Sequence, residues 1–388
     1  MTRLLIDATP VGPEAKGVGR YAYHVCLQLA TRLPQDWSLQ ALIHQEALRL
    51  FPPGFSGELT VVPRTSEVAG AVLSLRKCVR KAQPQILLKT HESAGYVAGV
   101  PTVTICHDID RLILEAQKAR RHPLRSLIDG AKLRLRRRAL QNSDFVICNS
   151  QFTRSAVQRY YRIPAGKTAV AYCAVDPRFY EFSTTVDKTE VRRRYGVRGF
   201  ILALATGDPR ENHQALPAIA ARLGALNVPV CLLIAGTRPG RPYVDELRSR
   251  FRDAGLAEGR NYIFESFLGA DRFSELVELY ASADFYLDLS LHEGFGMQLA
   301  EAMACGTTCI TSPNGALAEI GDGHVVFADP TNPGSVAEAI RNSYESRLHL
   351  RDNSEQVRYT HKFCWDDTGK VIAEVLLRLA AGARKSAA

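Results

Sequence analysis

The stretch FYLDLSLHEGFGMQLAEAMACGTTCIT, residues 285–311, decides how the chain folds. It opens on an apolar run over 285–289 and passes a turn framed by Gly294 and Gly296. A small-residue segment with helical spacing follows, ending at Gly306 before a second apolar run over 308–311. Glycine just past the last periodic residue marks a helix end, so the order is strand, turn, helix, strand. Neither strand alternates apolar with polar residues, which is the mark of a parallel sheet covered on both faces. The same kind of run recurs at 4–7, 39–43, 59–62, 86–89, 102–106, 145–148, 200–205 and 230–235, with helical patterns between. The fold class is therefore α/β with doubly wound parallel sheets.

At 388 residues the chain exceeds the usual size of one hydrophobic core, and two domains are expected. A charged stretch over 187–194, closed by Gly196 and Gly199, precedes a fresh strand at Phe200. The domains are accordingly placed at 1–186 and 187–367. Ile372, Val375, Leu376 and Leu379 stand at helical spacing near the end. The closing helix over 368–384 is read as packing back on the first domain, a placement the sequence alone does not show.

Composition excludes several classes. With 46% hydrophobic and 23% charged residues the chain is neither disordered nor low-complexity. No apolar run approaches the roughly 18 residues that span a bilayer, and the opening apolar run is too short for a signal peptide, so a cytoplasmic location is the expectation. The nine cysteines form no C-x-x-C pair and are read as buried thiols rather than disulfides or a zinc site.

Chemistry concentrates at the glycine-framed turn. Glycines at the mouth of a helix let a ligand approach unpaired backbone N–H groups at the positive end of the helix dipole, which makes a phosphate site. Glu293 on the turn and Glu301 in the helix are placed to accept hydrogen bonds from hydroxyl groups. Sugar hydroxyls beside a diphosphate satisfy both halves of this constellation.

The E-x7-E spacing from Glu293 to Glu301, within E-G-F-G-x-x-x-x-E-A-M-A-C-G-T, resembles the signature of the retaining glycosyltransferases of the GT-B fold, glycosyltransferase family 4. Other segments resemble that family in the same order. They are Gly17-Val18-Gly19-Arg20-Tyr21 near the first strand, Val103-Thr104-Ile105-Cys106-His107-Asp108, Asn149-Ser150-Gln151-Phe152-Thr153, Ala174-Val175-Asp176, and Ala281-Ser282-Ala283-Asp284. The resemblance covers nearly the whole chain. It implies two Rossmann-like domains facing a cleft, which close on a nucleotide diphosphate sugar and exclude water.

By the same resemblance Glu301 holds the donor ribose and Glu293 contacts the hydroxyls of the transferred sugar. The backbone of Gly294, Phe295 and Gly296 holds sugar or phosphate oxygens, with Gly19, Gly207 and Arg210 on the donor side. Gly17, Arg20, Tyr21 and Asp108 fall on the acceptor side, and His107 lies near the anomeric carbon. The leaving diphosphate takes the acceptor's proton on the same face, unlike the two-carboxylate chemistry of glycoside hydrolysis. Catalysis is then mostly positioning and charge stabilisation. His107-Asp108 and Asp208-Pro209-Arg210 look most like the mannosyltransferase branch, which makes GDP-mannose the first choice of donor and UDP-hexoses the next, in polysaccharide or glycolipid assembly.

The sequence departs from the family pattern at Thr206-Gly207-Asp208-Pro209-Arg210-Glu211-Asn212-His213, where Glu211 stands in place of an expected Lys. An acid beside a diphosphate opposes binding, so Arg210 would act alone or with Arg238 and Arg241. A sugar-nucleotide-binding protein that has lost catalysis is therefore the rival reading, and a GT-B epimerase or phosphorylase a third. Gln298 occupies a position where proline is common.

Two patterns are set aside. Gly17 to Ala22 also fits G-x-G-x-x-A, but the first strand ends near Asp7, too far upstream for a dinucleotide turn. Asp108-Ile109-Asp110 is a single D-x-D, the kind that holds a metal-bound diphosphate in another fold, and it is read as structural. Neither a cofactor nor a metal is expected. The net charge of +9 is concentrated, because 118–138 alone carries +8 on a partly amphipathic helix. That segment is read as either a solvated face or a contact for an anionic membrane surface or lipid-linked acceptor at the inner face of the membrane. Nucleic acid is not expected, because the aromatic interleaving of single-strand binders is missing.

Overall fold

A computed structural model of the chain describes residues 2–13, 17–65, 73–108, 123–228, 230–238, 240–266 and 272–387. The chain divides into two compact units, one of 1–174 with 363–388 and one of 175–362.

Among the described residues, the first unit holds a seven-stranded sheet in the order β3-β2-β1-β4-β5-β6-β7. Its strands are β1 Thr2–Asp7, β2 Trp37–Ile43, β3 Glu58–Val61, β4 Ile86–Lys89, β5 Thr102–Cys106, β6 Phe145–Cys148 and β7 Thr168–Val170. All pairings are parallel, and β4 and β5 are buried at every position. That is why these runs show no alternation in sequence. The order reverses between β1 and β4, and a crevice opens outside the carboxyl ends of strands at such a point.

The closing helix Trp365–Ala387 packs on helix Gly17–Arg32 of this unit. Trp365 stacks on His24 at 4.2 Å between ring centroids and meets Tyr21 edge-on at 5.6 Å. Thr368 Oγ1 donates to Tyr172 O at 2.7 Å, and Ile372 and Leu376 are wholly buried. The helix starts three residues before the expected 368 and runs three beyond 384.

The second unit holds a six-stranded parallel sheet in the order β10-β9-β8-β11-β12-β13. The strands are β8 Phe200–Leu204, β9 Cys231–Thr237, β10 Tyr262–Ser266, β11 Phe285–Asp288, β12 Cys309–Thr311 and β13 Val326–Phe327. Its reversal lies between β8 and β11. The core beneath it gathers Ile201, Leu216, Ile234, Phe251, Phe285, Leu287, Ile310 and Val336, all buried.

The sequence puts the junction at 186/187, whereas the packing puts it at 174/175. The cause lies in long-range contacts that the charged stretch does not advertise. Phe179, on helix Arg178–Ser183, is wholly buried against Phe273 (4.8 Å) and Tyr280 (6.0 Å) of helix Phe273–Ser282. Beyond it, Arg192 binds Ser282 O and Asp284 Oδ1, and Arg194 binds Glu278. Residues 187–194 are a capped helix, with the Asp187 carboxylate accepting from Thr189 N and Glu190 N, and not a linker.

Among the described residues no helix is long and apolar enough to cross a membrane. The nine cysteines are free thiols, seven of them buried. Of the basic segment, residues 118–122 and Asp110 of the D-x-D lie outside the described residues; from Pro123 the chain is helical to Gln141. Arg134, Arg137 and Arg138 are exposed on it, and Arg137 lies over the Tyr161 ring at 5.8 Å.

Phe179→Ala should cost about 3–5 kcal/mol in urea unfolding, as expected for an aromatic removed from a core. Amide exchange should quicken in helix Phe273–Ser282; unchanged exchange there would contradict this packing.

Candidate functional site

In the second unit the candidate residues assemble at the reversal between β8 and β11. The loop after β8 carries Thr206 to His213 and the loop after β11 carries Leu289 to Gly296. The two are tied directly, since Leu291 N donates to Arg210 O at 2.7 Å. Gly207 has φ +86° and a Cβ there would meet the Tyr243 ring at 2.7 Å, so only glycine fits.

Glu293, Gly294, Phe295 and Gly296 lead into helix Met297–Ala304, with Gly294, Phe295 and Gly296 buried. Gly296 is the N-cap residue at φ 93°, no side chain caps the helix, and a Cβ at Gly296 would strike Leu317 Cδ2 at 2.5 Å. The first-turn N–H groups are therefore presented with the dipole's positive end and without a competing carboxylate cap. Glu301 is buried in the second turn of this helix, and Tyr280 Oη stands 3.4 Å from its Oε2. Both carboxylates of the E-x7-E spacing thus belong to one strand-end loop and helix.

A second glycine, unremarked in the sequence, fixes this loop from outside. Gly315 lies at φ 63° with its Cα against the Glu293 backbone, where a Cβ would meet Glu293 O at 2.5 Å and N at 2.9 Å. Ala316 N donates to Glu293 O at 2.9 Å. The signal was the Asn314-Gly315 pair, a common turn sequence. Gln298 also gains an account, because its Oε1 accepts from the buried Tyr286 hydroxyl at 3.3 Å.

Glu211 is not aimed outward. Thr206 N donates to its Oε2 at 2.8 Å and Thr206 Oγ1 to its Oε1 at 2.5 Å, so the carboxylate closes the turn that follows β8. His213 Nδ1 lies 3.3 Å from Glu211 Oε2. Burial drives the His213 pKa down to about 4, against the pull of the Leu204 carbonyl and of Asp288, so the imidazole is neutral at pH 7 and the contact is no ion pair. Arg210, expected to face the diphosphate, forms a fork with Asp208, with Nη2 to Oδ2 at 2.9 Å. Asp288, at the end of β11, is buried with its pKa raised by desolvation, and its Oδ1 accepts from Ser290 N at 3.0 Å.

In the first unit the candidates gather at the reversal between β1 and β4 and at the end of the next strand, β5. His107 follows β5 and is buried. Its N donates to Glu92 Oε2 at 3.1 Å and its Nε2 meets Thr90 O at 2.8 Å. Burial lowers its pKa, so the ring is neutral at pH 7; facing a carbonyl, Nε2 carries the hydrogen and Nδ1 is the acceptor. Asp108 follows, half-buried.

Gly17, Gly19 and Arg20 form the first turn of helix Gly17–Arg32, with Gly19 buried and Arg20 half-buried. The ring of Tyr21 is wholly buried, packs edge-on against His107 at 4.9 Å, and its hydroxyl donates to Ala171 O at 2.9 Å. It acts on the site by supporting His107. Glu92, not singled out in the sequence, contacts the His107 main chain, and buried Lys89 ties down the same turn through Ser93 O; the signal was a lysine closing an otherwise apolar strand, Ile86-Leu87-Leu88-Lys89. Among the described residues no group of three or more His, Cys, Asp or Glu side chains is placed to hold a metal ion.

Two outcomes test this geometry. Glu211→Lys should lower stability by about 1–3 kcal/mol in chemical denaturation, because it leaves Thr206 N without its acceptor. Largely but not fully buried, His213 refuses a proton that the unfolded chain accepts, so stability should fall as pH drops from about 6.5 to 4, by roughly 3 kcal/mol in all. His213→Gln should flatten that limb of the pH–stability curve, and an unaltered limb would assign it to other groups.

A model described as "Glycosyltransferase Family 4" matches residues 15–179, and one described as "Glycosyl transferases group 1" matches 201–346. An uncharacterized glycosyltransferase of Methanocaldococcus jannaschii is 28% identical over 59% of this chain and 59% of its own length, so the match spans under two thirds of that relative. A GDP-mannose-dependent alpha-(1-6)-phosphatidylinositol dimannoside mannosyltransferase of Mycobacterium tuberculosis is 29% identical over 74% of this chain and 70% of its own. Sucrose-phosphate synthase from Thermosynechococcus elongatus superposes with a TM-score of 0.74 at 18% identity, covering 98% of this chain and 100% of that one. Two parallel-sheet units, a glycine-framed loop at the reversal of the second and consecutive family-model matches to both halves of the chain make it a member of the group 1, family 4 glycosyltransferases with the GT-B fold.

Proposed function

We propose that the chain transfers a hexose from a nucleotide diphosphate sugar to an acceptor hydroxyl with retention of anomeric configuration, GDP-mannose being the first choice of donor and UDP-hexoses the next. The observation that carries this reading is the pairing of buried Glu301 with Glu293 around an uncapped helix N-terminus. Carboxylates accept from ribose and sugar hydroxyls, while the N–H groups and dipole meet phosphate oxygens. The mannosyltransferase among the relatives supports the choice of donor.

Chemistry in this proposal is mostly charge stabilisation. The diphosphate recruits Arg210 away from Asp208, and the developing negative charge is met by the helix dipole. Neutral His107, with Nδ1 as acceptor, serves the hydroxyls of the transferred sugar. The leaving diphosphate takes the acceptor's proton, and no metal is required. The exposed arginines of helix Pro123–Gln141 suit an anionic acceptor such as a lipid-linked pyrophosphate, or the membrane surface bearing it.

The rival reading, a binding protein without turnover, drew on Glu211. With that carboxylate closing its own turn on Thr206, its presence is explained by loop structure, which favours the enzyme.

Glu301→Ala should weaken GDP and GDP-mannose alike by roughly 10–100-fold in calorimetry, the worth of a hydrogen bond to a charged group. Glu293→Ala and His107→Ala should chiefly lower kcat, with nucleotide affinity kept. Unchanged kinetics in all three would remove the assignment. Activity should survive chelator; loss with chelator and return with manganese would refute metal independence.

A further inference from the structure

Lys89 closes β4 with its side chain entirely out of water. A lysine is almost never buried in this way unless its charge is met. Its Nζ donates to Ser93 O at 2.7 Å, and Asp7, its register partner on neighbouring β1, and Glu92 both favour the charged form. Asp7 is itself buried and accepts from Thr9 N and Oγ1. Helix Leu75–Ala82, packed on β1, brings Cys78 toward Asp7. His91 and Glu92 lie on the turn that follows Lys89, and His107, just after β5, is held by that turn.

The turn that Lys89 ties down is the one that grips His107 from two sides. Thr90 O accepts from the imidazole, Glu92 Oε2 accepts from the His107 main chain, and Thr90 is anchored by its N (3.2 Å) and Oγ1 (2.7 Å) to Asp7 O. Thr90 therefore joins His107 to Asp7 at the end of β1, and the Lys89 ammonium spans the turn from the end of β4 to Ser93 O.

We propose that Lys89 is a positioning residue for His107: its buried ammonium holds the Thr90–Ser93 turn so that the imidazole is kept in one orientation and in the Nε2–H tautomer, and losing that proton loosens the hold. Burial pulls the Lys89 pKa down to about 8 against Asp7 and Glu92, which puts the release within reach of ordinary alkaline buffers. The consequence for turnover rests on the glycosyltransferase reading; the consequence for the tautomer does not.

The test uses the full chain labelled with 15N-histidine and two-bond 1H–15N imidazole spectra, the His107 signals being assigned by their loss in His107→Gln. At pH 7 His107 should show a single Nε2–H tautomer, passing to an averaged one between pH 7 and 9. Lys89→Met keeps the buried volume and removes the charge; it should show the averaged form at both pH values. Glu92→Gln, which removes one carboxylate favouring the ammonium, should shift the wild-type transition to lower pH and serves as the test if Lys89→Met does not fold. No transition in the wild type, or none displaced in Glu92→Gln, would overturn the proposal. In parallel, kcat for consumption of GDP-mannose should fall at least tenfold across the same pH interval with KM held. Tautomer changes without any turnover of the donor would leave the positioning role standing and remove the catalytic reading instead.

Discussion

Parallel strands cannot be joined by tight turns, and this constraint shapes both units. Each strand must be followed by a crossover, usually helical, that returns the chain to the same end of the sheet. The crossovers cover both faces, so the central strands such as β4 and β11 are buried at every position and the carboxyl edge is where loops meet. In the first sheet the order reverses between β1 and β4, in the second between β8 and β11. At each reversal neighbouring crossovers leave on opposite sides, and the loops there are free to bear polar groups. Asp7 and Lys89 stand at one such point, Arg210 and Glu293 at the other.

What the loops do with that freedom is mostly internal. Lys89 turns to Ser93 O, Glu211 to Thr206, Arg210 to Asp208, and His107 to Thr90 O. Buried polar groups cost free energy unless they are hydrogen-bonded, so strand-end loops rich in charge stiffen themselves. A stiff loop pre-aims its backbone N–H groups, and donors fixed in advance stabilise developing charge without reorganising. Gly207, Gly296 and Gly315 belong to the same economy of space, each lying at positive φ where a Cβ would collide with a neighbour.

Much of this was legible in sequence, for a physical reason. Strands buried on both faces write themselves as unbroken apolar runs, and a glycine-framed helix start between two such runs leaves little room for another topology. The E-x7-E spacing fell on one loop and helix as read. The domain junction was not legible, because Phe179 joins the second unit through contacts with Phe273 and Tyr280, about a hundred residues away, which no local pattern records. The role of Glu211 was hidden because its acceptor geometry depends on how the turn after β8 folds. Lys89 was passed over since a lysine ending a strand ordinarily reaches solvent, and only the register with Asp7 shows that this one does not.

We propose that the second unit's glycine-framed helix start and its two glutamates hold a nucleotide diphosphate. The most direct measurement is a thermal-shift series with GDP, UDP, ADP and their sugars on the full chain, since a ligand that binds only the folded state raises the melting temperature by mass action. A saturable rise with a nucleoside diphosphate is expected, largest for GDP and GDP-mannose. No rise with any of the nucleotides at millimolar concentration would contradict it.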